Sequence, residues 1–250
     1  KYLHPKESLS QDDIALGMRM MLYDAAFVTF MGVLTTGAFL IGFALSLGAS
    51  NVVVGVIAAA GPLAQILQLP SIVLIERYRK RKALALYAAA VSRATWFVIA
   101  LVPWLVPREY WIPSFVALLL VHFATGNLAN CAWNSWVRDL IPMPVFGTFF
   151  AKRMAIATFI GAVLSVAGAG MVDAWKQHYA APLGAYTIVF VVAAFSAVIS
   201  LFFIARMPEP EMPAQSGTTI RQILKEPLRD AKFRAVLIFL GWWNFAVNFA

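Results

Sequence analysis

From Ala25 to Ile75 the chain runs fifty-one residues without an Asp, Glu, Lys, Arg or His. About 20 apolar residues cross a bilayer as a helix, so this run is long enough to cross twice. Gly48-Ala49-Ser50-Asn51 interrupts it near the middle with small and polar residues, as a turn would. Two membrane helices joined by a tight hairpin are therefore expected before any motif is consulted. The whole chain extends the pattern, being 61% hydrophobic and 13% charged, against roughly 25% charged in soluble domains. An all-α polytopic membrane protein is the fold class this composition permits.

Apolar segments are expected at about 24–47, 51–75, 83–106, 112–136, 150–172 and 183–206. Pro103, Pro107 and Pro113 punctuate the third connection, and Asp173 to Pro182 makes the fifth. These six spans form an expected bundle over 1–206. A polar cytoplasmic linker follows at 207–233, with a short amphipathic helix presenting Ile220, Ile223, Leu224 and Leu228 on one face. Residues 234–250 read as the start of a seventh membrane helix, cut short.

The net charge of +8 does not point to nucleic acid, because Lys and Arg cluster between apolar runs. With the N-terminus inside, seventeen of the twenty fall on the cytoplasmic side, Arg108 and Lys176 fall outside, and Arg93 lies within a helix. The expected location is a bacterial inner (plasma) membrane with a cytoplasmic N-terminus. A charged, polar segment precedes the first apolar run, so nothing there reads as a cleaved signal. One cysteine, Cys131, excludes an internal disulfide and a Cys-based metal cluster. No cofactor or metal is expected.

Arg93 is the sharpest single signal. It follows Lys82 by eleven residues, which places it about 16 Å deep in a ~30 Å hydrocarbon core. An arginine there must face protein or water. Two readings stand: a contact to substrate or coupling ion in a central cavity, or a structural arginine tied to helix carbonyls or a neighbouring acid. Asn127, Asn130 and Asn134 recur on one face of the fourth span, and Arg138 extends that face. Three amides favour a hydrophilic path over a single interhelical contact. His122 lies off this stripe and reads as structural.

Asp24 opens the first span, with Thr35 on the same face. A helix cap or headgroup position suits Asp24 better than titration with a transported proton or pairing with Arg93. Gln65 and Gln68, between Pro62 and Pro70, are placed to bond a neighbouring helix at a kink. Ala157, Gly161, Ser165 and Ala169 make a small-residue packing stripe. Trp96, Trp104, Trp111, Trp133 and Trp136 mostly fit interfacial belts. Asn244 and Asn248 are cavity candidates on the seventh helix.

The stretch Ile72-Val73-Leu74-Ile75-Glu76-Arg77-Tyr78-Arg79-Lys80-Arg81 resembles the Gly-x-x-x-Asp-Arg-x-Gly-Arg-Arg/Lys pattern of the major facilitator superfamily. Glu76, Arg77, Lys80 and Arg81 fit by charge, while Ile72 and Arg79 replace both glycines. A second resemblance runs from Trp136-Val137-Arg138-Asp139 through Pro142 to Phe146-Gly147 and Lys152-Arg153, with Phe146 where the family usually has Arg. The Gly-Pro signature of the drug/proton antiporter branch is absent from the fifth span. The resemblance implies two six-helix halves, this chain holding the first, and solute transport by alternating access. It also implies that Glu76 is a gating residue and that Asp139 and Arg153 share a cytoplasmic salt-bridge network.

The expected function is secondary active transport of a small solute, with a coupling proton or cation. The partners are then the lipid bilayer, the solute and the C-terminal half of the same chain. A non-transporting receptor or assembly factor on the same fold is the alternative. A membrane enzyme is disfavoured, because His4, His122 and His178 have no paired acidic motif beside them.

Overall fold

The structure is a computed structural model that describes residues 4–179, 182–212 and 229–249. Every regular element among them is helical: α1 Gln11–Leu34, α2 Gly37–Ser46, α3 Asn51–Ala64, α4 Gln68–Tyr78, α5 Arg81–Leu105, α6 Trp111–Leu140, α7 Met143–His178, α8 Leu183–Arg206 and α9 Ala231–Phe249. Six helical stretches among the described residues are long and apolar enough to cross a membrane: α1, α3 with α4, α5, α6 with the turn before it, α7 and α8. Large apolar side chains such as Val52 (76% exposed), Phe159 (72%) and Val166 (76%) cover their outer faces. Acyl chains are the solvent in which that surface is stable. The protein is an integral membrane protein.

The chain divides into two compact units, Lys1–Glu211 and Met212–Ala250. The first contains all six spans. In it α1 packs on α7 and α8, α5 packs on α6 and α8, and α3 with α4 packs on α6. An aromatic core joins these helices near one end, where the Phe43 ring meets Phe115, Tyr186 and Phe190, and Trp96 meets Phe190. A Cβ on Gly42 would fall 2.3 Å from the Tyr186 hydroxyl, so α2 and α8 approach this closely only over glycine. The second unit contributes α9. The amphipathic face expected at Ile220, Ile223, Leu224 and Leu228 lies outside the described residues.

Three local features depart from the expected spans. First, α1 begins at Gln11 rather than near Asp24, because Ser10 and Asp13 close a capping box (Asp13 N to Ser10 Oγ, 3.1 Å; Ser10 N to Asp13 Oδ2, 3.2 Å). Asp24 therefore sits mid-helix and caps nothing. Second, the span breaks between α1 and α2. Thr35 and Thr36 turn their hydroxyls back onto Met31 O (2.5 Å) and Gly32 O (2.6 Å), and Gly37 adopts a φ of +53°. Back-bonding hydroxyls loosen the helical ladder, and glycine accepts the left-handed turn at little steric cost. Third, α7 begins at Met143 and runs to His178. It thereby places Lys152 and Arg153, expected at the cytoplasmic end of the span, nine and ten residues beyond the helix start, and draws Asp173 and His178 out of the expected external loop.

Other expectations meet matching geometry. Gly48 turns at a φ of +89° and Ser50 caps α3, closing the hairpin where the sequence places it. A 3₁₀ turn at Gln65–Leu67 interrupts the second span between Pro62 and Pro70. Gly161 of the small-residue stripe meets Val33 and Thr29 of α1. Trp96 and Trp136, however, are 1% and 0% exposed and belong to the interior rather than to an interfacial belt.

Candidate functional site

Five of the six spans, α1, α5, α6, α7 and α8, line a cavity of about 570 Å³. Its floor is an ion pair. Asp24 of α1 lies 3.8 Å from the Arg93 Nη2 of α5, and both side chains are buried. Arg93 Nη1 also donates to Ala197 O of α8 at 3.2 Å, and Ser200 of α8 donates its hydroxyl to Asp24 Oδ1 at 2.5 Å. A carboxylate and a guanidinium left single at this depth would be costly, and paired and hydrogen-bonded they become tolerable. Arg93 thus has the partners of the structural reading, an acid and a helix carbonyl, and it also lines the cavity.

Above the pair stand Asn130 and Asn134 of α6, both exposed into open space and joined by a 3.3 Å hydrogen bond from Asn134 Nδ2 to Asn130 Oδ1. Arg153 of α7 faces them, its guanidinium 5.0 Å from the centre of the Trp133 ring. Its Nε is buried without a hydrogen-bond partner among the described residues. The remaining wall is apolar, with Val28, Met31, Phe150 and Met154. Concave, mostly apolar walls with a few convergent polar groups are what small-molecule sites are built from.

Not every amide of the α6 stripe joins the cavity. Asn127 accepts from Gln68 Nε2 (3.3 Å) and donates to Phe123 O (2.8 Å), so it seals the kinked second span against α6. Thr35 is buried at the α1–α2 break and does not line the cavity. The side chains of Asn244 and Asn248 in α9 lie outside the described residues. His122 is held by Ser92, with Nδ1 2.9 Å from Ser92 Oγ, and its ring meets Trp96.

A second charged cluster closes the end of the first unit where α5 begins and α6 ends. Arg81, 1% exposed, donates to Ser135 O (3.0 Å), Pro210 O (2.9 Å) and the Asp139 carboxylate. Its Nε lies 3.9 Å from Glu209, whose Oε1 accepts the Lys82 backbone N–H at 3.1 Å. Trp136 Nε1 donates to Pro208 O at 2.9 Å. Lys6 and Glu211 complete the clasp through backbone bonds: Lys6 N to Glu209 O (2.8 Å) and Glu211 N to Lys6 O (3.0 Å). Residues 207–211, expected to open a polar linker, are therefore pinned to the bundle. Burial pushes the Glu209 carboxyl above the ordinary carboxylate range, against the pull of the nearby Arg81 and Lys82.

The gating candidates divide accordingly. Arg81 and Asp139 meet in the clasp. Arg138, 75% exposed at its side chain, pairs with Asp139 at 3.6 Å and with no other acid among the described residues. Arg153 does not join Asp139: the early start of α7 carries it into the cavity instead. Glu76 is half-buried and makes no ion pair among the described residues, while Arg77 and Lys80 are exposed. Arg79 caps α4 at a φ of +54°, the conformation glycine would favour at that point. Sequence reasoning missed Glu209, Lys82, Ser200 and the Trp133 platform. The only available signals were an acid between two prolines and a lone pair of serines, Ser196 and Ser200, in an apolar helix.

Neither a family model nor a curated protein nor a solved structure matches the chain. The geometry of the first unit is therefore what carries a functional reading.

Proposed function

We propose that the chain is the N-terminal six-span bundle, with the start of a seventh span, of a secondary transporter of the major facilitator type. It moves a small solute by alternating access, with its N-terminus on the cytoplasmic side. One observation carries the reading: a cavity shared by five spans, apolar along its walls and charged at its floor, inside a bundle otherwise covered for lipid. Charged groups this deep in a bilayer are expensive and are kept where a pathway uses them. Solute entering the cavity meets the exposed amides first and the Asp24–Arg93 pair last. The Arg81–Asp139–Glu209 clasp ties the ends of α5 and α6 to the chain following α8, so these walls move as one body when the bundle rocks.

The test is uptake into proteoliposomes of neutral lipid containing the full chain, scored with a panel of labelled anionic, neutral and cationic solutes. Flux of at least one class above protein-free vesicles is expected. Asp24→Asn/Arg93→Met, which removes both charges together, should insert normally and abolish that flux. A panel with no flux, or a double variant that transports as well as the parent, would overturn the proposal.

A further inference from the structure

The cavity contains three ionisable side chains, Asp24, Arg93 and Arg153. Two of them neutralise one another at the floor. That leaves one formal positive charge, on Arg153, with no carboxylate within 4.0 Å among the described residues. Ten residues of α7 precede it, so its Cα lies about 15 Å along the helix from its start. The Trp133 ring lies against the guanidinium, its centre 5.0 Å away, and Nε is a buried donor without an acceptor among the described residues. A planar fork held by an aromatic ring and lacking its acceptor is a receptor for an oxyanion. Asn130 and Asn134 supply further donors beside it, and Phe150, Met154, Val28 and Met31 offer apolar surface for the rest of a ligand.

We infer that the cavity binds a small organic monoanion, its acidic group on Arg153 with the amides of Asn130 and Asn134 beside it, and its apolar body against Phe150 and Met154. The inference rests on the transport reading only for the steps after binding. Occupancy of the site is a separate property. Asp24 adds specificity, because a dianion or a cation would leave the cavity with an uncompensated charge.

The probe is benzenesulfonate, permanently ionised, with benzenesulfonamide as its neutral counterpart of similar shape. Binding to the full chain in nanodiscs of uncharged lipid is followed by calorimetry at low salt. Benzenesulfonate should bind at least about tenfold tighter than the sulfonamide, as the loss of a charge-assisted contact implies. Arg153→Gln should erase that preference and Arg153→Lys should restore part of it, with secondary structure and elution volume unchanged in both. Equal binding of the two probes, or an unaltered preference in Arg153→Gln, overturns the inference. If Arg153→Gln fails to fold, Trp133→Leu, which releases the guanidinium from its platform, should weaken benzenesulfonate selectively, and an unchanged affinity overturns the inference equally. Uptake measured in parallel separates the two proposals. Selective binding without flux supports the anion site against transport, and flux of a neutral or cationic solute without anion binding supports transport against the anion site.

Discussion

The cavity floor and the end clasp both bury charge, and they differ in what is left over. In the clasp, the terminal nitrogens of Arg81 are taken up by Ser135, Asp139 and Pro210, and Trp136 and the Lys6 backbone also find partners there. In the cavity, Arg93 is satisfied but Arg153 and two amides face open space. The clasp also has unpaired atoms, Arg81 Nε and one Glu209 carboxylate oxygen, but both residues are almost fully enclosed, whereas the polar groups of the cavity line a concave space with room for a ligand. The contrast is one of space: the clasp encloses its charges, while the cavity leaves room beside Arg153, Asn130 and Asn134.

The sharpest way to break this contrast is Arg81→Ala. It removes the guanidinium beside the buried Glu209 and should cost about 3 kcal/mol in chemical unfolding in detergent, as loss of one partner of a buried ion pair does. Segment 207–211 should become cleavable by protease first. Next comes Arg93→Met, expected to cost about 3 kcal/mol alone because Asp24 is left unpaired. Asp24→Asn added to it should recover most of that loss, and a cycle without such coupling would contradict the pairing. Trp136→Phe deletes one buried donor and should cost about 1 kcal/mol, freeing the Pro208 carbonyl while leaving ligand binding intact. Arg79→Gly works in the other direction. By relieving the left-handed backbone at the end of α4 it should raise stability by about 1 kcal/mol, with no effect on the cavity. The smallest effect is a slope with pH. The folded clasp holds a proton on Glu209 more readily than the unfolded chain does, so its stability is greatest below the ordinary carboxylate range. That contribution is lost as pH rises through the raised value, and Glu209→Gln should flatten the dependence of hydrogen exchange at 207–211.

Some of the site was readable in the residues. Arg93 was expected to face protein or water and is buried, and Gln68 was expected to bond a neighbouring helix at a kink and does so, although its partner, Asn127, was expected in the cavity stripe. Arg153 was expected at the cytoplasmic end of a span beginning near residue 150, while α7 starts at Met143 and carries it further along the helix. Asp24 was misplaced for a related reason. An acid at the edge of an apolar run reads as a helix terminus unless the capping box at Ser10 is given its weight. Glu209 gave no periodic signal, because its role depends on chain segments far apart in sequence.

The sequence alone determined that this chain must satisfy its backbone in lipid, and therefore that it folds into long helices joined at Gly-, Pro- and charge-rich turns. Those are local and compositional constraints, complete within windows of about twenty residues. Only the tertiary structure decided which buried charges meet: Asp24 with Arg93 across sixty-nine positions, and Arg81 with Glu209 across one hundred and twenty-eight. Burying an ion is tolerable only when a counter-charge and hydrogen bonds arrive from another helix. The identity of that helix is fixed by packing between spans, which no single span encodes.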